Sequence, residues 1–251
     1  MLNKVYPFTQ RNAKTKQLDT KGALKFNSAD NQRAELYFYG DIVSNTWQSY
    51  LFDEDKCPQD IVDFLSELDD YGAVDIYINS GGGSVHGGLA IYNILKRYQG
   101  EKIVHVDGIA ASIASVIAFA GDQVLIPKNA QFMIHKPWSC VIGDAEDMRK
   151  EADILDICQA TIMNVYMEHV RDGITEDVIV DMVNKETWLT GEQVAEYFHI
   201  NVEKTSEIVA CESDYFEKYR HTPALNRIPK DFEKTNKEIE QIQAELDLLS
   251  L

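Results

Sequence analysis

The chain has 251 residues, 45% hydrophobic and 26% charged, enough for one substantial α/β core with extensions. Its formal net charge of −17 argues against wrapping nucleic acid or docking on an anionic membrane, because both draw on clustered Lys and Arg. The four cysteines, Cys57, Cys140, Cys158 and Cys211, form no CxxC pair, and HExxH is absent, so neither a disulfide framework nor a zinc site is expected. No window approaches the roughly 18 apolar residues of a membrane span, and MLNKVYPFTQRNAKTKQ lacks the apolar core of a signal peptide. Reduced thiols and a cytoplasmic setting are the expectation.

In chain order, residues 1–33 are polar with little periodicity and read as an N-terminal arm. AELYFYGDIV (34–43) alternates as a strand. PQDIVDFLSELDD (58–70) places Ile61, Phe64, Leu65 and Leu68 at helical spacing. AVDIYINS (73–80) alternates Val74, Ile76 and Ile78 as a strand, and GGGS breaks it. A helix follows, with Val85, Leu89, Tyr92 and Leu95 on one face. EKIVHVDG (101–108) reads as a strand, and IAASIASVIAFAG (109–121) as a buried small-residue helix. Two more strands (122–127, 131–137) precede a long amphipathic helix (144–171). A shorter helix (175–184), the segment KETWLT and the helix GEQVAEYF complete a domain over 34–202. The extension 203–251 ends in a helix with Ile239, Ile242, Leu246 and Leu249 near coiled-coil spacing, suited to packing on its own domain or on a partner helix. Strands alternating with helices predict an α/β fold.

Several segments carry chemistry. Ser112, in GIAASIAS, sits where a strand turns into a buried helix, with small neighbours that let a substrate approach. A helix start also offers backbone N–H groups to a developing oxyanion. Close helix packing explains such serines equally well, and Ser115 fits that reading. GGGSV (81–85) lets main-chain N–H groups face a ligand. It is neither a P-loop nor a dinucleotide fingerprint, since GxxxxGK[ST] and GxGxxG are both absent. Of six histidines, His135 in QFMIHKPW best suits a general base at a strand end, whereas His105 suits burial and His86 a helix surface. Glu186 could orient that imidazole. The residues alone do not select it from 41 acids, and Asp181 competes.

The ordered segments YINSGGGSVHGGLAIYNIL, GIAASIASVIAFAGDQVLIPKNAQFMIHKPW and ETWLTGEQVAEYF resemble the Clp protease proteolytic-subunit family over roughly residues 35–200. The resemblance implies a crotonase-like superfold of ββα units in two roughly perpendicular sheets, with the long helix as a handle joining rings. It implies Ser112 as nucleophile, His135 as base, Glu186 as acid and the Gly83 and Ile113 N–H groups as oxyanion donors, with Gly82 and Ser84 beside the substrate. No metal or organic cofactor is called for. The implied partners are polypeptide substrate and further copies of the chain, in rings of seven or stacked rings of fourteen. Gly81 stands where housekeeping members carry proline. With the HKPW and ETW signatures and the terminal extensions, it resembles the phage-encoded branch of head-maturation proteases, which argues against docking to an ATP-dependent AAA+ unfoldase. The rival expectations are an acyl-CoA enzyme of the same superfold and a catalytically silent, ring-forming scaffold.

Overall fold

The computed structural model describes residues 4–11, 18–26, 33–46, 55–66, 68, 72–205, 211, 213, 215, 216 and 218–222. The strands in chain order are β1 (Lys4–Arg11), β2 (Leu18–Phe26), β3 (Arg33–Phe38), β4 (Ala73–Ser80), β5 (Lys102–Ala111), β6 (Gln123–Pro127), β7 (Gln131–Ile134), β8 (Thr187–Thr190) and β9 (Asn201–Glu203). The helices are α1 (Pro58–Ser66), α2 (Val85–Arg97), α3 (Ile113–Ala118), α4 (Ala145–Met167), α5 (Glu176–Asn184) and α6 (Gly191–Tyr197). The stretch expected as an irregular arm carries β1 and β2, which pair antiparallel and join β3 through Ala23↔Glu35. The C-terminal helix expected around Ile239–Leu249 lies outside the described residues.

The core sheet is parallel. β3, β4, β5, β6 and β9 follow one another along it, with α1, α2 and α3 connecting the first four. Parallel neighbours need such crossovers, which cover the sheet and bury it. Alternation decides which side is covered: Leu36 and Phe38 of β3, Val74, Ile76 and Ile78 of β4, and Val104 and Val106 of β5 are all buried. The opposite face of the same strands is polar and aromatic. Tyr37, Tyr77 and His105 stack there at 4.9 and 4.8 Å between ring centroids, and Arg33 holds Asp75 through two 2.8 Å hydrogen bonds. Among the described residues the expected ββα order occurs as β2–β3–α1 and β6–β7–α4; from β3 to β6 single strands and helices alternate.

One departure from the sequence expectation shapes the molecule. Ile109, Ala110 and Ala111 extend β5 instead of opening α3, and they pair in parallel with Gln131, Phe132 and Met133 of β7. The first half of β5 pairs with β6 and its last three residues with β7, so the sheet forks at β5. β8 then pairs antiparallel with β7. All nine strands belong to one hydrogen-bonded network, branched at this point. The helix that remains, α3, is buried along its whole length, as its small apolar residues dictate.

Candidate active site

The fork brings three strand ends together. Ala111 pairs with Met133, so Ser112 leaves β5 beside the end of β7, and its N–H donates to the Met133 carbonyl at 2.9 Å. Ile134 pairs with Thr187, so His135, the residue after β7, lies level with Glu186. Register alone therefore gathers Ser112, His135 and Glu186, residues scattered over 75 positions of sequence.

Ser112 caps α3 with φ 54° and ψ −127°, a conformation that a residue with a Cβ rarely adopts. Strain of this kind gathers at functional sites. Here it turns the side chain outward, and the Ser112 Oγ lies 2.7 Å from the His135 Nε2. The turn is braced from beneath. Ser115 Oγ donates to the Ser112 carbonyl and shares a 2.7 Å hydrogen bond with the Tyr166 hydroxyl on α4. Ser115 thus has the packing role its sequence context suggested, and it ties the Ser112 turn to the long helix.

His135 is 9% exposed. Burial pushes its pKa down to about 4, and the nearby Glu186 charge only partly opposes the shift. The imidazole is neutral at pH 7, and neutral imidazole is the form that can accept a proton. Glu186 also has positive φ, 53°. Its carboxylate accepts the backbone N–H of Arg220 at 2.9 Å and of His221 at 2.6 Å, with the Trp188 indole N–H at 3.5 Å. Among the described residues no hydrogen bond joins Glu186 to His135; the two are coupled through charge. Asp181 is turned elsewhere, in an exposed pair with Lys185 on α5.

The glycine loop lies across from the serine. Gly82 (φ 100°) passes so close that a Cβ there would meet the Ala111 carbonyl and the Ser112 Cβ at 2.7 Å. Gly83 (φ 143°) abuts Ile42, and the loop is pinned by Ile42 N–H to the Gly82 carbonyl and Ser84 N–H to the Ile42 carbonyl, both at 2.7 Å. The Gly82 N–H donates to the Ser80 Oγ. Ser84 lines the cleft and also caps α2, its Oγ accepting from the Gly87 N–H. Ile113 opens α3 directly after the serine. A cleft of about 310 Å³ adjoins these residues, bounded by Gly83, Ser84, Ser112, His135, Trp138 and Cys158. His86 lines it from the exposed face of α2. His105 is part-exposed on the far face of the sheet, stacked on Tyr77.

Sequence reasoning missed Tyr219. Its hydroxyl donates to the Gly81 carbonyl, and its ring meets His135 edge-on at 5.0 Å. The available signal was three aromatics, Tyr215, Phe216 and Tyr219, within five residues of otherwise polar text.

A strained serine at a helix start, hydrogen-bonded to a buried neutral histidine beside a glycine loop, is the arrangement of serine hydrolases. The Clp protease family model matches residues 54–201, and the chain belongs to that family. It is 33% identical over 136 residues to the ATP-dependent Clp protease proteolytic subunit 3 of Streptomyces coelicolor, covering 53% of this chain and 61% of that one. It is 28% identical over 160 residues to the corresponding subunit of Bacteroides fragilis, covering 62% and 70%. The chain therefore spans about three fifths of the length of the Streptomyces relative. Among the described residues, no helix is long and apolar enough to cross a membrane.

Proposed function

We propose that the chain is a serine endopeptidase with Ser112 as nucleophile and His135 as general base. The 2.7 Å contact between Ser112 Oγ and His135 Nε2, at a positive-φ helix start, carries this reading. His135 takes the Ser112 proton as Oγ attacks a peptide carbonyl. The Gly83 and Ile113 N–H groups face the oxyanion, and Glu186 stabilises the imidazolium. His135 then gives the proton to the leaving amine. Water releases the acyl group with His135 again as base. An extended polypeptide would lie in the cleft beside Gly82 and Ser84, held largely through its main chain. Since the loop engages both the N–H and the carbonyl of Gly82, the contacts would fall on its neighbours.

Family membership and exposed apolar residues on and before α4 support a ring of like subunits. Ile142, Met148, Ile154 and Ile157 are all open to solvent in the single chain, as an interface would require. Gly81, the HKPW and ETW signatures and the extensions support the phage-encoded branch, acting on capsid or scaffold proteins in a host cytoplasm without an unfoldase. The crotonase-like superfold is supported by the parallel core and the buried helix start at the glycine loop. The test is hydrolysis of an unfolded protein substrate by the purified chain. Ser112→Ala and His135→Ala should each abolish it; turnover at the wild-type rate in Ser112→Ala would overturn the assignment.

A further inference from the structure

Cys211, Ser213, Tyr219, Arg220 and His221 lie against the glycine-loop strand end, His135 and Glu186. Cys211 Sγ donates to the Asn79 carbonyl at 3.2 Å, at the entrance to the glycine loop. Ser213 Oγ donates to Asp41 at 2.5 Å, and a Cβ on Gly81 would overlap the Ser213 side chain. The glycine at position 81 is what lets this stretch pass so close. Phe216 and Tyr219 are buried in an apolar recess of Ile109, Ala111 and Met133, with Trp188 packed beside it. The Tyr219 hydroxyl caps the Gly81 carbonyl, while Arg220 and His221 N–H groups hold both oxygens of Glu186.

We infer that this C-terminal stretch is a built-in restraint that holds the peptidase in a resting state and must move for Ser112 to be fully active. The inference rests on the serine-peptidase reading. Its anchors are geometric. The Tyr219 hydroxyl donates its single proton to the Gly81 carbonyl and so ties the stretch to the glycine loop. The acid is diverted from the base: the N–H groups of Arg220 and His221 satisfy Glu186, and among the described residues it makes no hydrogen bond to His135. The aromatic ring over His135 contributes to the burial that weakens the base. Displacement of the stretch by an arriving polypeptide, or its removal by cleavage, would return the acid and the solvation of the imidazole together. A stretch that merely positioned the triad would have the opposite sign.

The test is the rate at which a fluorophosphonate labels Ser112 in the full-length chain and in Tyr219→Phe and Phe216→Ala/Tyr219→Ala. Loss of the hydroxyl that anchors the stretch to the Gly81 carbonyl should loosen it and raise the rate about fivefold in Tyr219→Phe, and more in the double variant. Hydrogen exchange gives a readout free of substitutions: the Arg220 and His221 amides should be protected in the free wild-type chain and lose protection once Ser112 carries the adduct. Wild-type labelling that is unchanged or slower in Tyr219→Phe, with the amides equally protected in the adduct, would overturn the restraint and leave the peptidase reading standing. No labelling in any folded variant would overturn both.

Discussion

Acidification gives a direct check on the environment of His135. In the unfolded chain its imidazole titrates near the ordinary 6.5; in the folded chain burial lowers this to about 4. Between those values the unfolded state binds the extra proton and the folded state does not. Stability from this group is therefore full above about pH 6.5 and falls as pH drops toward 4. At 1.36 kcal/mol per pH unit, the loss is about 2 kcal/mol by pH 5 and about 3 kcal/mol once the folded form protonates. The side chain is 9% exposed, so solvent screening removes little of this. Other carboxylates titrate in the same window, so the quantity to measure is the difference between wild type and His135→Asn. Urea unfolding at pH 7, 6 and 5 should show a steeper acid loss in the wild type by about 2 kcal/mol at pH 5. Parallel pH profiles for the two proteins would refute a buried neutral imidazole.

Gly82→Ala should destabilise by about 2–4 kcal/mol through backbone strain at φ 100° and overlap with Ala111 and Ser112, and should abolish Ser112 reactivity; denaturant unfolding and labelling check both. Tyr166→Phe leaves the Ser115 hydroxyl one partner short in the core. It should cost about 1 kcal/mol in unfolding free energy with only a small change in activity. Glu186→Gln should lower kcat by about two orders of magnitude with KM little changed, because the acid acts on the imidazolium and not on the substrate. Steady-state kinetics on a peptide would show it, and an equal rise in KM would argue against that role.

How legible this was in the sequence depended on the kind of signal. β4 runs from Ala73 to Ser80, as its alternation demanded, because one face is packed and the other wet. Ile109–Ala111 was misplaced into a helix because short apolar runs of small residues suit a buried strand as well as a buried helix. Only pairing with β7 decides between them. Motif order pointed to Ser112 and His135 as candidates, and the structure brings their side chains to 2.7 Å. Glu186 was separable from Asp181 only through the β7–β8 register, a contact between distant strands. The strands β1 and β2 were missed because KVYPFTQR and LDTKGALKF do not alternate, and their pairing rests on main-chain bonds. Tyr219 was missed because its contacts with Gly81 and His135 are made in space, far from its own place along the chain.

The central claim is that Ser112 is a nucleophile activated by His135. The most direct measurement is peptide mass spectrometry of the chain after exposure to a fluorophosphonate, with Ser112→Ala and His135→Ala alongside. The account predicts one adduct, on Ser112, absent from both variants. An adduct on Ser112 that forms equally well in His135→Ala, or no adduct in folded wild type or in Tyr219→Phe, would contradict it.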